Sequence, residues 1–219
     1  MLDHDDTSVD STPHIHYPCY LQFMKNHPHD AILSYNEWFK MLWHEGLFNY
    51  YRKELKMTED QVKEAVDDSR QYGLTHESAK FFPGFIPLLK AFKARGGILV
   101  VVSFSSAENI NKHYNEQTKG EILPDFVYDW KHDAPEQCKP FPYPVFDVMK
   151  RYNLKKEDIL VVDDMLPGLT MARKAGVKCA GAVYGKGHEV LQTELSEASD
   201  YLCASVEDLQ RLVITEKEE

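Results

Sequence analysis

A chain of 219 residues with 25 Lys+Arg against 35 Asp+Glu carries a formal charge of −10, which argues against a nucleic-acid duplex or an anionic membrane surface as its main partner. A hydrophobic content of 43% with 12% aromatics is that of a globular protein, and a chain this long needs no disulfide or metal staple to fold. Four scattered cysteines with no CxxC pair, an acidic N-terminal stretch and the lack of any run of membrane-spanning length point to a reduced, cytoplasmic protein.

From residue 13 to 80 the apolar periodicity is helical. Ile32, Tyr35, Phe39 and Leu42 form one stripe, Val62, Ala65, Val66 and Tyr72 another, and Thr58 with Gln61 has the spacing of a capping box. From Phe81 onward short β-branched runs alternate with helical ones, the pattern of a parallel sheet covered on both faces. The expected strands are 98–103, 125–129, 159–163, 178–184 and 200–203, with helices at 87–95, 107–117, 144–152, 169–175 and 206–213. Ser105 with Glu108 and Ser205 with Asp208 mark two helix starts, while Gly96 and Gly176 mark two ends. The chain therefore reads as α/β, with a sheet core from residues 1–12 and 81–219 and a helical domain inserted at 13–80.

Ligands of open parallel sheets bind beyond the carboxyl ends of the strands. Asp3 and Asp5 follow Met1 and Leu2, Ser103 follows ILVVV, Asp163 and Asp164 follow ILVV, and Lys139 lies in the loop before the preceding helix. Asp3 and Asp5, two apart as the chain leaves the pleat, suit a nucleophile and an acid/base facing one pocket, or else a solvated acidic turn. Ser103 taken alone caps a helix, and Lys139 taken alone is a loop lysine. Asp163 and Asp164 end an apolar strand, where burying either charge without a partner costs several kcal/mol. A divalent cation would offset that cost, and an oxygen-only donor set suits Mg²⁺.

Taken together, DxDxT, a Ser after a hydrophobic strand, Lys-Pro and VVDD occur in the order that resembles the haloacid dehalogenase-like hydrolase superfamily. The helical stretch between the first two motifs resembles the cap of its phosphoglycolate phosphatase and β-phosphoglucomutase branch. The resemblance implies a Rossmann-like core with an inserted helical cap, and a Mg²⁺-dependent phosphomonoester hydrolase acting on a small phosphorylated metabolite. It also implies a task for each matched residue. Asp3 attacks phosphorus to form an aspartyl-phosphate, and Asp5 protonates the leaving alkoxide and then activates water. Ser103 and Lys139 hold phosphoryl oxygens, while Asp3, the Asp5 main-chain carbonyl and Asp164 hold Mg²⁺ with support from Asp163. A monomer or homodimer with no nucleic-acid or membrane partner is expected. The alternatives are a phosphomutase using the same phosphoenzyme and a non-catalytic binding protein on the same fold. A dehalogenase has no use for Asp5 or a metal, and a receiver domain carries its Asp pair first rather than last.

Three positions depart from the family pattern. Asp6 stands where Gly is usual, so it needs a compatible turn or an outward-facing carboxylate. Gly168 stands where a further acid is often found, a role that Asp163 takes over. Only two residues precede Asp3, fewer than a central strand normally has. Among other residues, His14 and His16 lack a third ligand and read as polar residues opening a helix. Gly185-Lys186-Gly187 reads as a turn near the pocket rim, and Trp38, Trp43, Tyr50 and Tyr51 as the interior of the helical segment. Arg52, Lys53 and Arg70 are basic residues that could touch substrate, and the sequence does not choose among them.

Overall fold

A computed structural model describes residues 1–26 and 31–214. Its strands are β1 (Val100–Val102), β2 (Phe126–Tyr128), β3 (Leu160–Asp163), β4 (Lys178–Ala182) and β5 (Tyr201–Cys203). β1 pairs with β2, and β4 lies between β3 and β5, all parallel. The two groups are joined by the N-terminal segment: Leu2 bridges Val101 on one side and Val162 on the other, both in parallel. Leu2 N donates to Val100 O at 2.8 Å and Asp3 N to Val162 O at 2.8 Å, so Asp3 leaves the sheet at its centre. The order across the sheet is β2, β1, the N-terminal segment, β3, β4, β5.

The strands are shorter than expected, β1 at both ends and β4 only at its end, and carboxylates bind main-chain amides near the starts of these two. Leu99 N donates to Asp125 Oδ2 at 2.7 Å, and Cys179 N to Asp200 Oδ2 at 3.0 Å. Each aspartate also donates its own main-chain N–H to the same residue, Asp125 N to Leu99 O at 2.7 Å and Asp200 N to Cys179 O at 3.0 Å.

Successive strand residues point to opposite faces. Val100, Val102 and Val161 enter one apolar cluster with Leu169, Met171 and Ala172, whereas Val101, Val162 and Ala180 enter the other with Phe85, Leu88, Ile110 and Leu209. These partners belong to α5 (Phe85–Ala94), α6 (Ala107–Thr118), α8 (Leu166–Ala175) and α10 (Val206–Val213); α7 (Tyr143–Tyr152) also covers the sheet. Each fully buried aliphatic side chain contributes ~1.5–3 kcal/mol against an entropy cost of similar size.

The segment before the sheet is helical, as its periodicity indicates: a π-helical turn at Thr12–His16, then α1 (Tyr17–Asn26), α2 (Tyr35–His44), α3 (Leu47–Asn49), a second π turn at Tyr50–Glu54, and α4 (Glu59–Thr75). Thr58 and Gln61 form the expected capping box, and Trp38, Trp43, Tyr50 and Tyr51 are buried. Ile32 does not join the α2 stripe; Ser34 and Glu37 start the helix after it, leaving Ile32 54% exposed.

Three further details differ from the sequence reading. Ser106, not Ser105, caps α6 by accepting from Asn109 N. α8 begins at Leu166, with Pro167 in its first turn where a missing N–H costs nothing. A helix α9 (Gln192–Ala198) was unpredicted; its N-cap is Leu191 and no side chain caps it, so the sequence carries no start signal there.

Candidate active site

The chain turns tightly after Asp3. Ser8 N and Val9 N both donate to His4 O, Asp6 N donates to Val9 O, and the Ser8 hydroxyl donates to Asp3 O at 2.7 Å. Asp6 sits in this turn at φ 54°, a left-handed conformation that Asp tolerates better than most residues. Its carboxylate faces inward, accepting from Thr12 N at 2.9 Å and Ser11 N at 3.1 Å. Of the two arrangements open to a residue replacing Gly, this is the compatible turn; the outward-facing one is not seen.

The structure brings all six sequence candidates to the carboxyl edge of the sheet. Lys139 Nζ lies 2.8 Å from both Asp3 Oδ1 and Asp163 Oδ2. Asp3, Asp163 and Asp164 are buried and each offers an oxygen within 4.8 Å of the others. Asp163 Oδ1 accepts from Met165 N, and Asp164 Oδ1 accepts from the Thr7 hydroxyl at 2.9 Å. Ser103 Oγ accepts from Ser105 N at 3.1 Å and reaches Asp5 Oδ2 only at 3.4 Å, which leaves its hydroxyl free to turn.

Gly168 explains how the fourth of the sequence motifs, VVDD, is rearranged. A Cβ at this position would lie 1.8 Å from Asp163 Oδ2, so a side chain at 168 and the observed Asp163 carboxylate exclude one another. An acid at 163 is compatible only with glycine here.

Burial pushes Asp3 well above the usual carboxylate range, Lys139 opposing it and Asp163 and Asp164 adding to it. The same balance raises Asp163 to about 6, while Lys139 is itself raised, the two carboxylates outweighing its burial. Within this pocket five carboxylates (Asp3, Asp5, Asp6, Asp163, Asp164) face the cations Lys139, His16 and His188. A surplus of negative charge on oxygen donors fits a hard divalent cation.

Asp5 is held differently. Burial would raise it, but His16 Nε2 at 2.9 Å from Oδ1 and the Ser105 hydroxyl at 2.5 Å from Oδ2 keep it well below the usual range. His16 in turn is pushed up to about 9, Asp5 outweighing its burial. The proton shared by this pair therefore rests on the imidazole. His16 is thus more than a polar residue opening a helix; His14 instead lies 3.5 Å from Asp10 and is exposed. Ser105, expected to cap α6, serves Asp5.

Sequence reasoning missed His188. Its ring is fully buried, with Nε2 2.8 Å from Asp164 Oδ2, and Asp164 and Asp6 push it up to about 9 against its burial. Gly185 leaves room for this ring, since a Cβ there would lie 2.5 Å from His188 Nδ1, while one at Gly187 would lie 2.6 Å from Phe39 and Tyr35. The signal available was a paired-glycine turn beyond a strand end that delivers a histidine. A second missed feature is the buried pair His4 Nε2 and His113 Nδ1, 2.9 Å apart; burial holds His4 near 3 and lowers His113 as well. Arg52 and Arg70 are engaged with Glu59 and Glu108, and Lys53 is exposed.

A parallel α/β sheet whose central strand ends gather a lysine-bridged acidic triad has its candidate site at the carboxyl edge, where ligands of such sheets bind. The chain belongs to the haloacid dehalogenase-like hydrolase family, whose pattern it matches over residues 1–182. It is 28% identical over 142 residues to a phosphoglycolate phosphatase of Pseudomonas fluorescens, a match covering 65% of this chain and 49% of that protein. It thus spans about half the length of the curated relative. Its fold is shared with a predicted phosphoglycolate phosphatase from Haemophilus somnus (TM-score 0.74, 22% identity, 98% of this chain and 96% of that one). It is shared too with CbbY from Rhodobacter sphaeroides, solved in complex with xylulose-(1,5)bisphosphate (TM-score 0.68, 18% identity, 93% and 92%). No helix among the described residues is long and apolar enough to cross a membrane.

Proposed function

We propose that the protein is a Mg²⁺-dependent phosphomonoester hydrolase that acts through a phosphoryl group on Asp3, with residues 13–80 serving as a cap over the core. The observation that carries this reading is Lys139 set 2.8 Å from both Asp3 and Asp163, with Asp164 alongside. A carboxylate does not approach an anionic phosphate unless cations screen both, and this cluster supplies one cation and the donors for another. The Asp3, Asp163 and Asp164 carboxylates and the Asp5 main-chain carbonyl would hold Mg²⁺, which supplies Lewis-acid charge neutralisation when bound.

The remaining chemistry belongs to the chain. Asp3 attacks phosphorus and expels the alkoxide, splitting a slow hydrolysis into two faster steps. Lys139 and the Ser103 hydroxyl, the latter weakly engaged at 3.4 Å, hold phosphoryl oxygens. As the alkoxide develops, His16 returns its proton to Asp5, which passes it to the leaving oxygen; the reverse transfer then activates water against the phosphoaspartate. Thr7 and His188 fix the Asp164 carboxylate from both oxygens, at 2.9 and 2.8 Å. Relatives named phosphoglycolate phosphatase support phosphomonoester chemistry. Four unpaired cysteines accord with the reducing cytoplasm.

The test is Asp3→Asn assayed on p-nitrophenyl phosphate with Mg²⁺. The amide cannot form the acyl phosphate, so turnover is abolished while the fold, read by circular dichroism, is kept. Retained turnover by purified mutant protein removes Asp3 from the nucleophile's role.

A further inference from the structure

Beside Asp5 a cleft of about 640 Å³ opens toward the helical segment, walled by Phe48 and Tyr51 from that segment and by Phe104, Asn109, His113 and Trp130 from the core. Phe48 and Trp130 stack with ring centroids 4.9 Å apart, and Phe104 stands edge-on to Trp130 at 5.5 Å. Trp130 Nε1, Asn109 Oδ1 and His113 Nε2 are buried here without a partner. Asn109 is 8% exposed and His113 3%, so neither turns to bulk water. An unpaired buried polar group costs about 1–3 kcal/mol, and several on one wall mark where a ligand supplies the missing bonds.

The buried histidine pair leaves one unpaired nitrogen on each ring. His113 Nδ1 is taken by His4 Nε2, and His4 Nδ1 is itself buried without a partner. A hydrogen on His4 Nε2 makes the outer His113 Nε2 a donor and one on His113 Nδ1 makes it an acceptor, and a hydroxyl, which both donates and accepts, satisfies either. The wall then presents a neutral donor from Trp130, a neutral acceptor from Asn109 and an unpaired ring nitrogen from His113.

Its charges disfavour an anionic alcohol. Arg70 is paired with Glu108 at 2.8 Å and His16 with Asp5 at 2.9 Å, while Asp67 and Asp129 line the same cleft with Lys63. The volume also lies in the range that holds drug-sized ligands, which a two-carbon acid would leave mostly unfilled.

Building on the hydrolase reading, we infer that the alcohol half of the substrate is an uncharged polyhydroxylated ring and not a short carboxylic acid. Its apolar face packs against the Phe48–Trp130 stack, and its hydroxyls meet Trp130 Nε1, Asn109 Oδ1 and His113 Nε2.

The experiment measures kcat/KM with Mg²⁺ for p-nitrophenyl phosphate, ribose 5-phosphate, a nucleoside 5′-monophosphate and 2-phosphoglycolate. One of the two ring esters is expected to exceed phosphoglycolate by ~10-fold or more, the value of about one well-made hydrogen bond; which of them leads tells a free sugar from a nucleoside. Trp130→Phe keeps an aromatic face but removes the N–H together with the five-membered half of the indole, so KM for the favoured ester rises ~10-fold while kcat holds within about 2-fold. Phosphoglycolate preferred over both ring esters, or an unchanged KM in Trp130→Phe, overturns this inference alone. No turnover of any ester, p-nitrophenyl phosphate included, overturns the hydrolase reading and this inference with it.

Discussion

Replacing Gly168 with Ala tests how the acidic cluster is built. The substitution adds one methyl group, and on an exposed helix it would stabilise by up to ~1 kcal/mol. Here the new Cβ would lie 1.8 Å from Asp163 Oδ2, 2.4 Å from Cγ and 2.7 Å from Cβ, all far inside contact distance. The neighbour is not a flexible tip: Asp163 is buried and tied to Lys139 and Met165 N, each at 2.8 Å. Overpacking costs ~1–3 kcal/mol, and turning Asp163 away from Lys139 would break a buried ion pair at ~3–5 kcal/mol. After the helix gain is subtracted, a net loss of about 3 kcal/mol is expected, a fall in Tm of roughly 6–12 °C for a domain of this size.

Thermal unfolding in chelator measures this without a contribution from bound metal. The cause is isolated by the double variant. In an Asp163→Gly background both the carboxylate and the Cβ that would lie 2.7 Å away are gone, so Gly168→Ala becomes neutral or mildly stabilising, and the two substitutions are strongly non-additive. A fall of less than about 2 °C in the single variant, or the same fall in both backgrounds, refutes the steric account of the VVDD motif.

Mg²⁺ added at ~100 times its dissociation constant stabilises by about 2.7 kcal/mol, raising Tm by roughly 5–10 °C; Asp164→Asn removes most of that shift, and a wild type insensitive to Mg²⁺ counts against the metal site. The His16 pair sets a pH dependence: its folded value of about 9 exceeds the ordinary 6.5, so its stabilisation is complete below pH 6.5 and lost as pH rises through 9. Wild-type Tm therefore falls more steeply between these limits than that of His16→Gln, and parallel curves would show that the pair contributes nothing. Asp6→Asn keeps both the left-handed turn and the acceptor for Thr12 N, so it costs less than ~1 kcal/mol, whereas Asp6→Ala strains the turn and orphans that amide at about 1–3 kcal/mol by denaturant titration. Equal costs would mean that the carboxylate oxygen plays no part in holding the turn.

Much of the design is legible one residue at a time. β-branched runs alternating with helical stretches dictate a parallel sheet, and charges at the ends of apolar strands must find partners, so Asp3, Asp5, Ser103, Lys139, Asp163 and Asp164 could be placed at one edge without coordinates. The capping box at Thr58 and Gln61 and the end of α8 at Gly176 are local chemistry and were equally plain.

What stayed hidden are contacts between residues far apart in the chain. No local rule separates Ser105 from Ser106 as the cap of α6; the choice falls on Ser106 because Asp5, a hundred positions earlier, takes the other hydroxyl. His16 looks like any polar residue opening a helix until the helical segment folds back and sets its ring 2.9 Å from Asp5. His188 becomes a partner of Asp164 only when the loop after β4 crosses the central strand ends, and the cleft acquires its neutral, aromatic wall only when Phe48 meets Trp130. Sequence periodicity reports which side of an element is buried; which groups meet there is set by the packing of elements against one another, and only the tertiary structure decides that.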